Sequence, residues 1–168
     1  AAMIAAEAML GLTPDPIRRL AALAVAVTED ARRVASRLRL SNAETKALDS
    51  MGHRWWRFAN ADQARARRLL YRLGEDNYRN RLMLAWARAG GGTDAAPWRD
   101  LATLPQRWHA PKFPLKAADF IARGVAEGLG LGHVLTLAED AWLAADFPLD
   151  DAALGAIADQ AVARLTRD

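Results

Sequence analysis

Between His53 and Arg88 the chain carries nine arginines against three acidic residues, interleaved with Trp55, Trp56, Tyr71 and Tyr78. Guanidinium groups bind phosphate oxygens through paired, charge-assisted hydrogen bonds, so this run offers chemistry for holding a polyanion rather than for breaking a bond. Arg65, Arg68 and Arg72 stand at i, i+3 and i+7 and share one helix face beside the apolar positions, and Arg54, Arg57 and Arg79 extend the set. A solvated helix face with partial acid pairing fits the same spacing. Trp55 falls on the apolar stripe and reads as packing, while Trp56 is left open between packing and stacking on a base. A second group is Gly128-Leu-Gly130-Leu-Gly132-His133 at a predicted helix start, with Lys112, Lys116 and Arg123 nearby in sequence. Unpaired N–H groups at a helix N-terminus attract anions, and glycines leave them uncovered. Those glycines equally permit a tight turn between closely packed helices.

Other chemistry finds no support. The histidines His53, His109 and His133 are far apart, and none has the i, i+4 spacing that sets two imidazoles on one helix face. Glu139-Asp140 and Asp150-Asp151 are neighbours, and neighbours on a helix point about 100° apart. No serine sits in a nucleophile elbow, and no glycine-rich loop carries a phosphate-binding lysine. No metal ligand set and no catalytic residue is therefore assigned. Cysteine is absent, which excludes disulfides and thiolate metal sites, and a reducing cytoplasm is the expected compartment. No apolar run approaches the roughly 20 residues that cross a bilayer.

The elements that must position these residues read as helices. Ala1 to Leu10 is a helix already under way at Ala1, as expected of a piece of a longer polypeptide. Asp15-Pro16 opens a helix to about Val27, and Thr28 with Glu29 and Asp30 opens another to about Leu38. Ser41-Asn42-Ala43-Glu44 is a capping box, followed by Ala47, Leu48, Met51, Trp55 and Phe58 as one predicted stripe. Ala66, Leu69, Leu70 and Leu73 mark a helix that Gly74 stops, and Glu75 to Ala89 is the next. Gly90-Gly91-Gly92 sets the expected lobe boundary. Four prolines between Pro97 and Leu115 predict a short helix and an extended connector. Asp119 is expected to cap a helix to about Ala126. A long amphipathic helix follows the glycines, and Asp150 opens the last. The result is an all-α array of about eight to nine helices without a sheet: a body over 1–89, a linker over 90–96 and a tail over 97–168. Residues 1–92 hold 16 basic and 9 acidic residues and the remainder 7 and 11, so the overall charge of +3 divides into +7 and −4. Twenty of the 23 basic residues are arginine, a bias that a GC-rich genome produces without selection for binding.

The stretch Pro111-Lys112-Phe113-Pro114-Leu115, then Asp119, Gly124, Gly128, Gly132, Leu135, Glu139, Trp142 and Phe147, closely resembles the C-terminal signature of bacterial CCA-adding tRNA nucleotidyltransferases and the related poly(A) polymerases. Upstream, Asp15 to Leu23 and Arg37 to Glu44 are similar to the helical body of that family. Ala117 stands where the family usually has glycine, and Leu129 where proline often follows glycine. Glu29-Asp30-Ala-Arg-Arg33 has the spacing of the nucleotide-selecting motif of the family's neck, but its place just before Arg37 to Glu44 puts it in the body. The resemblance implies a region that docks and supports tRNA or another structured RNA, beside a catalytic head that binds Mg2+ and CTP or ATP and has no counterpart here. For such a region RNA contact is expected above all through Arg65, Arg68, Arg72, Lys112 and Lys116, the densest positive positions expected to stay unburied, with Arg54, Arg57, Arg79, Arg123, Gly128, Gly130, Gly132 and His133 as further candidates. Two other readings stay open: a structural or oligomerisation module without RNA affinity, and a helix-hairpin-helix type of nucleic-acid-binding domain, which the glycine turn resembles.

Overall fold

Asp15 accepts hydrogen bonds from the N–H groups of Ile17 and Arg18 at 2.8 and 3.0 Å, and Pro16 supplies the fixed φ of a first helical position. These local signals set the second of nine helices in the computed structural model, which describes residues 1–90 and 95–166. The helices are α1 (Ala2–Met9), α2 (Pro16–Ala24), α3 (Thr28–Leu38), α4 (Asn42–Gly52), α5 (Gln63–Arg88), α6 (Ala96–Arg107), α7 (Ala117–Ile121), α8 (Leu129–Ala144) and α9 (Asp151–Leu165). A 3-10 turn, Trp55–Phe58, lies between α4 and α5. No strand occurs among the described residues, and no helix there is long and apolar enough to cross a membrane.

By packing the chain divides into units of residues 1–109 and 110–168. This division lies beyond the glycine run, most of which falls on residues 91–94, outside those described. The reason is α6. Its Trp98 ring stacks parallel on Trp86 with centroids 6.2 Å apart, and the Tyr78 hydroxyl of α5 donates to the Leu101 carbonyl at 2.9 Å. Residues 97–109, which the sequence assigned to the tail, thus pack with the body. Burial pushes the Tyr78 phenol well above the usual tyrosine range, so it stays a donor.

The first unit has two apolar clusters. One gathers Met3, Ala21, Leu48, Met51, Met83, Leu84 and Trp86 from α1, α2, α4 and the C-terminal part of α5, with Val25 just past the end of α2. The other gathers Phe58, Ala66, Leu70, Tyr78, Leu82, Leu101 and Leu104 from the 3-10 turn, α5 and α6. Gly74 interrupts α5 with φ 70° and ψ 167°, a conformation that is essentially glycine's alone, and the Asn77 amide takes up the Leu73 carbonyl at 3.1 Å. In the second unit, Phe120, Val134, Ala138, Trp142, Leu143, Phe147, Ile157, Ala158 and Ala161 are buried.

Three expectations need correction. The stripe from Ala47 to Phe58 is not one helix: α4 ends at Gly52, and Arg54 adopts φ 52°, which turns the chain so that Phe58 enters the second cluster. Asp119 is not the cap of a helix to Ala126. It sits in the first turn of α7, where its carboxylate accepts the Lys116 N–H at 2.6 Å, and α7 stops at Ile121 before Gly124 turns at φ 85°. The helix from Pro16 ends at Ala24, before Val27.

Gly52 has a packing role that spacing did not reveal. A Cβ there would lie 2.9 Å from the Val27 carbonyl oxygen and 3.0 Å from the Thr28 Cα, both backbone atoms. Gly52→Ala is expected to destabilise the chain by about 1–3 kcal/mol through overpacking. The urea midpoint measures it, and an unchanged midpoint rules out the close approach.

Candidate nucleic-acid interface

Arg54 and Arg57 project from the 3-10 turn and its entry, and both residues are exposed. Arg65 and Arg68 lie half-buried in the first turns of α5, which Asp62 caps by accepting the Arg65 N–H at 2.7 Å. The turn and α5 pack together through Phe58 and Tyr78, whose rings meet edge to face at 5.1 Å. One unit therefore carries all four arginines on adjacent segments. None of the four has a carboxylate within ion-pair distance among the described residues. Arg72 is exposed and, like Arg67, has a further interaction of its own.

The remaining arginines of the run are committed within the fold. Arg79 pairs with Glu75 at 2.6 Å and Asp76 at 3.6 Å, one turn away on its own helix. Arg81 donates to the Ser50 hydroxyl at 3.2 Å, and burial lowers its pKa. Arg88 donates to the Val25 carbonyl and lies 5.1 Å over the Trp55 ring. Trp55 packs as expected, although from the 3-10 turn and not from a stripe on α4: it lies against both apolar clusters, and its indole N–H donates to the Ala26 carbonyl at 2.8 Å. Trp56 is 50% exposed.

In the second unit, Arg123 pairs with Asp159 at 2.8 Å and donates to the Asp119 carbonyl, also at 2.8 Å. Lys112 and Lys116 are exposed on the connector before α7, and neither has an ion pair among the described residues. Gly128 precedes α8 with φ 128° and ψ −153°, a backbone state that demands glycine. Gly130 and Gly132 are different. A Cβ on Gly130 would meet Leu165 at an ordinary 3.8 Å, and one on Gly132 would meet nothing within 4 Å. No side chain caps α8. His133 is exposed one turn in. A cavity of about 410 Å3 is lined by Arg123, Val125, Gly130, Val162 and Leu165 among others. Arg123 and Gly130 thus share a wall, but the guanidinium is already occupied.

No family model, curated protein or solved structure matches this chain.

Glu29-Asp30-Ala-Arg-Arg33 has a local structural role at the start of α3. The Asp30 carboxylate accepts the N–H groups of Ala26 and Val27 at 3.0 and 3.1 Å and pairs with Arg33. Those backbone bonds, with Arg33, hold its pKa below the usual carboxylate range.

One constellation escaped the sequence reading. Glu7 is 1% exposed, with one carboxylate oxygen 2.9 Å from Arg19 Nε and the other accepting the Asp15 N–H at 3.2 Å and lying 3.5 Å from Arg18. Arg18, also buried, donates through Nε to Asn80 at 3.2 Å and pairs with Asp15 at 3.3 Å. The signal was available: Glu7 is the one charged residue between Ala1 and Leu12, and a charge in an apolar helix needs a partner. An apolar cleft of about 330 Å3 lies between α1, α2 and α5, lined by Ile4, Leu23 and Ala87 with Arg19 and Arg88. Both of its arginines are engaged elsewhere. Among the described residues, no three His, Asp or Glu side chains converge as a metal site would require.

Proposed function

We propose that this chain is the helical body and tail of a bacterial template-independent nucleotidyltransferase that adds CCA, or poly(A), to RNA 3′ ends, and that its part is to hold the RNA. The ordered residues of the resemblance support the family. The observation that carries the RNA-holding role is the set Arg54, Arg57, Arg65 and Arg68, four guanidinium groups on adjacent segments without a carboxylate partner among the described residues. Their neighbour Arg79 is paired by acids one turn away, whereas these four have no ion pair among the described residues, which is not what a self-neutralised face produces.

A structured RNA presents phosphates at fixed positions and 2′-hydroxyls along a shallow groove, and it is held by shape and backbone contact rather than by base sequence. Arginine forks suit that task. Residues 1–109, with 18 basic and 11 acidic residues, would carry the affinity, and Lys112 and Lys116 would add to it from the second unit. In such an enzyme Mg2+ and CTP or ATP belong to the head, and no residue of this chain is assigned to hold them. A cytoplasmic setting goes with the reading.

The test is a salt series of binding to a full tRNA, with a single-stranded RNA of equal length as control. Tight, tRNA-preferring binding is expected, falling steeply with salt. Alanine at Arg54, Arg57, Arg65 and Arg68 together should weaken it by roughly a hundredfold and make the log–log salt slope shallower by about three. An unchanged affinity and slope in that variant would remove the RNA-holding role. Equal weak binding of both RNAs by the unaltered chain would leave a scaffold.

A further inference from the structure

Trp56 is the feature that the phosphate contacts do not use. Its side chain is half in solvent, an unusual state for the largest apolar residue in a chain that buries Trp86 and Trp142 completely. It is not loosely attached. Its ring meets Trp55 edge to face, with centroids 5.9 Å apart and planes at 82°. Trp55 is itself fixed, by the bond from its indole N–H to the Ala26 carbonyl and by the Arg88 guanidinium over its face. Trp56 is therefore an exposed aromatic surface braced by an immobile neighbour. A group that stacks on it finds much of the ordering already done.

The charges beside it select the occupant. Arg54 and Arg57 flank Trp56 in sequence, are exposed, and have no ion pair among the described residues. An apolar protein surface closing over Trp56 would bury or crowd two unpaired cations at a cost. A nucleotide meets both requirements at once, since its base has a flat π face and its flanking phosphates are anionic. We propose that Trp56 is a stacking platform for an unpaired nucleobase of the bound RNA, with Arg54 and Arg57 on the phosphates to either side. This rests on the RNA-holding reading of the first unit and adds a contact that a perfect duplex does not supply.

The experiment uses the full chain, a tRNA transcript and a 12-nucleotide oligo(A). Trp56→Leu keeps an apolar group against Trp55 but lacks a π face, and Trp56→Phe restores one. Trp56→Leu should weaken binding to both RNAs about tenfold with the salt slope unchanged, because no phosphate contact is lost, and Trp56→Phe should recover most of the affinity. Arg54→Ala with Arg57→Ala should instead make the slope shallower. If Trp56→Leu binds tRNA as tightly as the unaltered chain does, the platform is overturned and the RNA-holding reading stands. Trp56-dependent binding of oligo(A) without binding of tRNA keeps the platform and sinks the structured-RNA reading; binding of neither sinks both. Light scattering on the same samples covers the rival occupant. Self-association lost in Trp56→Leu, with RNA affinity untouched, would make the patch a contact between copies of the chain.

Discussion

Glu7→Ala is expected to destabilise the first unit by about 3–5 kcal/mol, a large share of the roughly 5–15 kcal/mol that holds an ordinary domain folded. The carboxylate is buried and offsets the charge of Arg18, which is also buried and shares it with Asp15. Removing Glu7 leaves Arg18 in a low-dielectric setting with one partly exposed acid, frees the Asp15 N–H, and releases Arg19. The cost is the desolvation of what stays behind, rather than the strength of a contact. Replacing both partners should therefore cost less than replacing one: Glu7→Leu with Arg18→Met is expected to be closer to the original stability than Glu7→Leu alone. Urea unfolding of the single and double variants measures this. A single-variant loss under 1 kcal/mol, or a double variant worse than the sum of its parts, refutes the account.

Trp142→Ala is expected to cost the second unit a similar amount, about 3–5 kcal/mol. Trp142 has no exposed surface, and its ring packs against Phe113 at 5.3 Å and Phe147 at 4.9 Å. It also closes the end of α8. Its indole N–H donates to the Pro148 carbonyl at 2.8 Å, and its carbonyl accepts the Phe147 N–H at 3.1 Å. Between these bonds Asp146 and Phe147 both take left-handed backbone angles, φ 63° and 64°, each costing about 1–3 kcal/mol for a residue with a side chain. The ring's burial offsets that strain, and without it the reversal has nothing to hold. Amide hydrogen exchange should then become fast across α8 and α9. Protected amides in α9 of Trp142→Ala would show that the ring is not the keystone of this unit.

Where a helix begins was legible because the signal is local. Ser41 and Glu44 exchange their bonds as a capping box, Asp150 accepts the Ala153 N–H at 2.8 Å, and Gly74 breaks α5 where the pattern broke. Where a helix ends was less so. The apolar spacing runs on from Met51 through Trp55 to Phe58, and what stops α4 is the left-handed turn at Arg54 and the backbone of Val27 against Gly52, a residue 25 positions away. The site divides the same way. That Glu75 neutralises Arg79 follows from their i, i+4 spacing, whereas the partner of Arg123 is Asp159, 36 residues on, and no local rule selects it. Spacing also put α6 on the wrong side of the boundary, because the stacking of Trp98 on Trp86 is a tertiary choice made across the glycine run.

The seat of α1 and α2 on the far end of α5 also sets a schedule. Arg18 finds Asn80 only 62 residues later in the chain, and Met3 shares its cluster with Met83 and Trp86. A ribosome adding about 5–20 residues per second takes roughly 3–12 s to cover the distance from Arg18 to Asn80. Throughout that interval the nascent chain holds Glu7 and Arg18 without the element that completes their burial. The α3–α4 hairpin, whose residues are neighbours in sequence, is under no such delay.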